Sequence, residues 1–309
     1  MFRFVRRRMY TSAVPLIIVL LGVFLLARLT GDPTNLYMSE SATPEQRAAF
    51  AAKNGFDQPI LTQLGDYFSG VAHLNFGTSL RTGESASEMA FRAFPATLQL
   101  AFATMLLAVV GAVVIGCWAA YRPNSLADRF SSLLSMTAAS IPDFWFAITG
   151  VWLFAVLLGV LPTSGVDDGV LSWILPVATL MIRPLGVLTQ VVRGAMVSAL
   201  SAPYVRLARS KGAGDLRVVT HHALRNAAAP ALTVAGDLTV GLVNGAVVVE
   251  AIFGWPGIGK LMIDAILQRD FAVLQAAVLL TAVSIFVLNI AIDACYALLD
   301  ARVREPARV

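Results

Sequence analysis

Six long apolar runs constrain this chain more than any other feature. A helix needs about 20 mostly apolar residues to cross a hydrocarbon core about 30 Å thick. Six segments meet that length: residues 9–29, the stretch between Arg92 and Arg122, and residues 136–161, 173–197, 231–249 and 272–294. With 57% of its 309 residues hydrophobic and only 14% charged, against about 25% charged in an average soluble domain, the chain has more apolar side chain than a water-soluble globule of this size can hide. Disorder, coiled coil and collagen are excluded on the same ground. The pattern predicts an all-α, polytopic membrane protein with six transmembrane helices. The first run is longer than the apolar region of a signal peptide and no small-x-small cleavage site follows it, so it is expected to stay as an uncleaved anchor.

Charge placement then gives an orientation. With the N-terminus in the cytoplasm, fourteen Lys and Arg fall on the inner side: Arg3, Arg6, Arg7, Arg8, Arg122, Arg129, Arg206, Arg209, Lys211, Arg217, Arg225, Arg302, Arg304 and Arg308. Only Arg47, Lys53, Arg81, Arg92, Lys260 and Arg269 fall outside. That asymmetry obeys the positive-inside rule and puts both termini in the cytoplasm. It also makes the net charge of +4 a statement about topology, with no call for nucleic acid.

Two connections exceed what a turn requires. Residues 30–94 form an outer segment with helix signals of its own: Thr43, Pro44 and Gln46 have the spacing of a capping box with proline at the first helical position, and Asn54-Gly55 reads as the stop. On the inner side, residues 198–230 read as two short helices broken at Gly212-Ala213-Gly214, with Asp215 as the second N-cap and Pro230 closing the elbow before span five. The first of these helices mixes Tyr204, Val205, Leu207 and Ala208 with Arg206, Arg209 and Lys211. Such a helix suits either an anionic lipid surface or a groove in a partner protein, and spacing alone does not choose between them.

Several motifs imitate chemistry without supplying it. Gly254-Trp255-Pro256-Gly257-Ile258-Gly259-Lys260 has the spacing of a phosphate-binding loop. However, Leu261 stands where Ser or Thr would hold Mg²⁺, a membrane helix precedes it in place of a strand, and it faces outward. A re-entrant turn with Trp255 at headgroup depth is the expectation instead. His221 and His222 are adjacent and diverge by about 100° on a helix, so they do not chelate one ion together. Cys117 and Cys295 lie far apart in apolar runs and offer neither a disulfide framework nor a thiolate cluster. Signatures of intramembrane proteases and of potassium filters are absent.

Ionisable residues inside the spans are a different matter, because they are costly there and point to partners or wet cavities. Asp143 follows Pro142 in span three, Arg183 and Arg193 lie in span four, Asp237 lies about two turns into span five, and Asp293 ends span six. Arg193 is the expected partner of Asp237. Arg183 lies about ten residues from either interface, too deep to snorkel easily, and Pro184 disturbs the turn before it. It is expected to face a carboxylate of a partner or the translocation path. An ion-coupled secondary transporter using Asp237, Asp293 and Arg183 as a relay remains an alternative at this point.

The residues also resemble a family. Tyr204 to Gly212, followed by His222-Ala223-Leu224-Arg225-Asn226 and Pro230, is similar to the coupling loop of ABC-type importer permeases of the dipeptide, oligopeptide and nickel branch. The likeness extends through Gly31-Asp32-Pro33, Phe56-Asp57-Gln58-Pro59, Phe94-Pro95-Ala96-Thr97-Leu98, Ser140-Ile141-Pro142-Asp143-Phe144-Trp145, Leu161-Pro162-Thr163-Ser164-Gly165, Glu250 to Gly259, and Tyr296-Ala297-Leu298-Leu299-Asp300-Ala301-Arg302. Pro203 stands where an acidic residue is frequent, Gln190 where an arginine is common, and Ala301 where the closing motif has proline; Arg183-Pro184 replaces apolar residues.

The resemblance implies a type I importer permease in a bacterial plasma (inner) membrane, without enzymatic activity of its own. Residues 95–309 would form the permease core, and residues 1–94 the tail, first helix and outer insert. It further implies a second related permease, two ATP-binding subunits that carry ATP and Mg, and an extracytoplasmic solute-binding protein, with no cofactor or metal on this chain. Tyr204, Arg206, Ala208, Arg209, Lys211, Gly212 and Asp215 would couple it to the ATPases. Asp143, Arg183, Arg193 and Asp237 would line the pathway or form intramembrane ion pairs. Peptides lead as substrates, with nickel or another metal chelate, opines and glutathione as alternatives.

Overall fold

The computed structural model describes residues 14–15, 17–25, 34, 38 and 42–299, without the side chains of residues 139, 293 and 295–299. Arg3, Arg6, Arg7, Arg8, Gly31-Asp32-Pro33, Asp300-Ala301-Arg302, Arg304, Arg308 and the side chains of Asp293 and Cys295 lie outside the described set. Among the described residues the chain is helical, with one isolated bridge between Thr78 and Ser85 and no strand. The helices are α1 (Pro44–Lys53), α2 (Ile60–Ala72), α3 (Ala86–Tyr121), α4 (Leu126–Ser140), α5 (Asp143–Gly150), α6 (Leu171–Ser201), α7 (Pro203–Ser210), α8 (Asp215–Ile252), α9 (Ile258–Gln268) and α10 (Phe271–Leu299). Within the described set, α3, α6, α8 and α10 are each long and apolar enough to cross a membrane, and α4 with α5 adds a fifth if that bent pair counts as one span.

The contacts gather into two units. One contains the described residues up to Ala96 together with Pro256–Phe286, and the other contains Thr97–Trp255 with the residues from Val287. In the first unit α1 starts as its sequence dictates: Thr43 accepts from the Gln46 amide, the Gln46 side chain answers on the Thr43 amide, and Pro44 takes the first helical position. Asn54 and the left-handed Gly55 end it. Asp270 is buried, receives a 2.5 Å hydrogen bond from the Ser79 hydroxyl and caps the start of α10 at the Val273 amide, so the loop before α3 is tied to the start of α10. A small-residue core of Ala86, Ala90, Ala265 and Ala276 around Val273 lets these helices approach closely.

In the second unit, α6 is the central element. It packs on α4, α5 and α8. The closest approach is to α4, where the Ser135 hydroxyl donates to the Gly186 carbonyl at 2.8 Å and a β-carbon on Gly186 would lie 2.5 Å from that of Ala138. Val192, Met196 and Ala199 of α6 form a buried cluster with Ala120 of α3 and Ala223 and Ala227 of α8.

Two boundaries differ from the sequence reading. Span three is not one helix: α4 ends at Ser140, Ile141 and Pro142 are extended, and α5 departs at 102° to α4. The cause is local, since the ring of Pro142 disfavours the helical region for the residue before it. Pro230, conversely, does not close the elbow. It lies inside a helix that runs unbroken from Asp215 to Ile252, with a π-helical turn at Val218–Ala223. The carbonyl that loses its donor to Pro230 belongs to Asn226, and both residues are exposed, so the loss is met at the surface.

The α4–α6 contact yields a test. Gly186→Ala should destabilise the detergent-solubilised protein by about 1–3 kcal/mol through overpacking, whereas Gly194→Ala, with nothing within 4 Å of its added carbon, should be neutral or stabilising. Equal thermal midpoints for the two variants would contradict this packing.

Candidate functional site

The elbow is built from α7 and the first turns of α8. Pro203 occupies the first position of α7 after extended Ala202, and the helix ends in a Schellman motif. Gly212 takes φ +83°, its amide donates to the Arg209 carbonyl at 2.9 Å, and the Ala213 amide donates to the Ala208 carbonyl at 3.1 Å. No atom lies within 4 Å of where a Gly212 β-carbon would be, so glycine is required by its backbone angle and not by crowding. The second limb starts at Asp215 with Gly214 as its N-cap, one residue earlier than the sequence reading placed the cap.

Val205 and Val218 are buried and anchor the two limbs, while Tyr204, Leu207 and Leu216 stay exposed among Arg206, Arg209, Lys211 and Arg217. Ala208 is half-buried on the inner side of α7. Arg209 and Asp215 form an exposed ion pair at 3.8 Å across the glycine break, a contact that contributes little to stability in water. The result is a bent cationic knob with an apolar tip.

The charged residues of the spans are sorted differently from the sequence expectation. Arg193 does not meet Asp237. It makes a two-pronged ion pair with Asp128 at the start of α4, and Asp128 also accepts from the Asn124 amide at 2.8 Å. Asp237 is exposed and has no ion pair or hydrogen bond among the described residues. Azimuth explains the miss. The buried face of α8 carries Ala235, Leu242, Ala246 and Val249, and Asp237, two residues past Ala235, points about 200° away from that face.

Asp143 and Arg183 lie on α5 and α6, which pack together. Asp143, the first residue of α5, is half-buried with a carboxylate oxygen 3.9 Å from the β-position of Gly245 on α8. Arg183 on α6 is exposed and forms no ion pair with Asp143.

Other contacts were missed from sequence. The Thr97 hydroxyl donates to Glu250 at 2.6 Å, and both side chains are fully buried. Asp128 had a legible signal, because Ser125 three residues before it is a helix start signature and is indeed the N-cap of α4. Trp255 is packed within the chain: it is 2% exposed, edge-on to Trp173 at 4.6 Å. The Gly165 amide donates to the Phe253 carbonyl at 2.9 Å, and the left-handed Gly254 packs on Ser164. The glycine-rich turn is therefore a packing device. Among the described residues no group of three His, Cys, Asp or Glu is placed to hold a metal ion.

The Arg193–Asp128 pair is testable by a double-mutant cycle. Asp128→Asn and Arg193→Gln should each destabilise the protein, with a coupling energy on the order of 1–3 kcal/mol between them. Additive losses within about 0.3 kcal/mol would show that the two side chains do not depend on one another.

The chain is similar to known proteins in sequence and in fold. Residues 112–305 match the family described as "Binding-protein-dependent transport system inner membrane component", and residues 1–101 match the N-terminal model of such membrane components. The di/tripeptide transport system permease protein DppB of Pseudomonas aeruginosa is 38% identical over 99% of both chains. A putative peptide transport system permease of Brucella abortus is 35% identical over 95% of this chain and 96% of its own. The glutathione transport system permease GsiC of Salmonella typhimurium is 36% identical over 98% and 99%. Among solved structures, a chain of the MetNI methionine ABC transporter shares the fold, with a TM-score of 0.57 at 17% identity over 69% of this chain and 96% of that one. With the helical spans and these similarities together, the chain belongs to the binding-protein-dependent transport system inner membrane component family, the multi-pass permeases of ABC importers.

Proposed function

We propose that this chain is one of two permease subunits of an ATP-driven importer of short peptides. Two ATP-binding subunits carry ATP and Mg on the cytoplasmic side, and a solute-binding protein delivers peptide from outside. The chain has six spans: the one at residues 9–29, the bent α4–α5 pair counted once, and α3, α6, α8 and α10. Both termini are cytoplasmic, residues 30–94 form an outer insert, and residues 95–309 form the permease core. The partition of basic residues supports this topology, since all six proposed outer Lys and Arg lie in the first contact unit and every described inner one lies in the second. Peptides are favoured because relatives named for peptide transport are 32–38% identical over nearly the whole chain; glutathione, itself a peptide, is the substrate in the name of another.

The observation that carries the mechanism is the elbow. A cationic helix with an exposed apolar tip, turned by a Schellman motif and continuous through α8 with a membrane span, suits docking into a partner's groove. Tyr204 and Leu207 supply apolar contact, Arg206, Arg209 and Lys211 supply charge, and Gly212 and Asp215 fix the bend. Nucleotide-driven movement of the ATPases would displace α7 and, through α8, the spans. Differential affinity of the ATPases for the two arrangements is what biases the transport cycle.

Proline is locked near φ −65° and is incompatible with the left-handed turn at 212. In a reconstituted complex, Gly212→Pro and Arg209→Glu should still insert and be detected in the membrane while losing most of the ATPase stimulation by loaded binding protein. Wild-type stimulation in Gly212→Pro would rule out this coupling role.

A further inference from the structure

The first unit contains a cavity of about 430 Å³, within the size range of small-molecule sites. Its walls come from distant parts of the sequence. On α2, Gln63, Asp66, Tyr67 and Gly70 recur at the spacing of one helical face, and all four line it. The segment after α2 folds back as a second wall, because Gly70 lets the chain come close. A β-carbon there would lie 2.5 Å from the Asn75 carbonyl oxygen, and the Asn75 amide donates to the Gly70 carbonyl at 2.8 Å. The start of α10 supplies a third wall through Phe271 and Gln275, and the Ser79–Asp270 hydrogen bond ties it to the second. Phe24 stacks on Tyr67 with ring centroids 5.4 Å apart.

The α2 face offers acceptors. Gln63 spends its amide hydrogens on the carbonyls of Phe56 and Gln58, at 3.3 and 2.7 Å, which leaves its Oε1 buried without a hydrogen-bond partner. The Tyr67 hydroxyl is likewise buried and unpartnered, and burial pushes the phenol up to about 12, so it stays neutral. Buried polar atoms are nearly always paired, so two orphans on one helix face mark a wall that a ligand completes. Because no bond holds the Tyr67 hydroxyl, a small turn of its side chain presents it to that ligand. Asp66, on the same face, is exposed and makes no ion pair or hydrogen bond among the described residues. Aromatic rings of Phe24, Phe56, Phe76 and Phe271 complete the lining, and no Lys, Arg or His is among the described lining residues. A carboxylate and neutral oxygens among ring faces attract a cation and repel an anion. We propose that this cavity binds a small primary-ammonium compound, its ammonium held by Asp66, Gln63 Oε1 and the Tyr67 hydroxyl and its apolar part set against Phe56 and Phe271. The three N–H groups of an ammonium match three acceptors. The inference stands on the cavity and not on the peptide reading; an alkylamine and the N-terminus of a peptide carry the same group, and the test separates them.

The test is isothermal titration of the complex of permeases and ATP-binding subunits in nanodiscs, without binding protein, against n-butylamine, its uncharged isostere 1-butanol, and dialanine. Butylamine should bind saturably and butanol about tenfold more weakly or not at all. Asp66→Asn should raise the butylamine Kd about tenfold. Tyr67→Phe, which keeps the ring stacked on Phe24 and removes only the hydroxyl, should raise it about threefold. Asp57→Asn makes the same charge change at an exposed residue that does not line the cavity, and should leave the Kd unchanged. Dialanine binding that weakens with Asp66→Asn would make a peptide N-terminus the source of the ammonium, and binding of butylamine without dialanine would make it a free amine; the site stands in both cases. No saturable binding of butylamine, equal affinity for butanol, or equal effects of Asp57→Asn and Asp66→Asn would overturn it. None of these outcomes bears on the peptide reading, which fails instead if the wild-type complex with loaded binding protein imports no peptide.

Discussion

The guanidinium of Arg193 is costly to leave unpaired on a helix that packs mainly through apolar side chains, because hydrocarbon offers it no hydrogen-bond partner. The pairing of Arg193 with Asp128 meets that demand, and the order of the second unit follows from it. It holds the start of α4 against α6, and the same two helices are closed further along by the Ser135–Gly186 hydrogen bond and the missing side chain at 186. With α4 lying along α6, the chain must turn before it can cross, and Pro142 makes that turn. Asp143 is thereby delivered to the first position of α5, beside Gly245 of α8.

The same unit contains a long lever. The helix from Asp215 to Ile252 has 38 residues, about 57 Å at 1.5 Å per residue. Near one end Val218 is buried beside the elbow, and near the other Glu250 is held by Thr97. On the coupling role proposed here, a displacement of α7 is carried by a stiff element and not by a loop, and the glycine-lined stretch that faces Asp143 lies between the two ends. That geometry gives a physical route from a cytoplasmic partner to the helices packed against α8.

How much of this was legible in the sequence varied with range. The capping box at Thr43, the stop at Asn54-Gly55 and the turn at Gly212 were readable because each is set by residues within one helical turn. Apolar run length located the membrane helices but passed over Pro142, since summed hydropathy ignores the backbone restriction a proline places on its predecessor. Pairing Asp237 with Arg193 failed for a related reason: depth along a helix can be counted from sequence, whereas azimuth depends on which face is buried. Asp128 went unnoticed because its partner is 65 residues away. The general preference of tryptophan for the interface says nothing of its neighbour, and the edge-on contact of Trp255 with Trp173 was not legible.

The central claim is that transport by this chain is driven from its cytoplasmic elbow by ATP-hydrolysing partners. It is tested most directly by accumulation of labelled dialanine in proteoliposomes containing this chain, its partner permease and loaded binding protein, with and without the ATPase subunits. Accumulation should require the ATPases and ATP on the elbow side, and an imposed proton or sodium gradient should not replace them. Gradient-driven accumulation by this chain alone, with no ATPase present, would contradict the account.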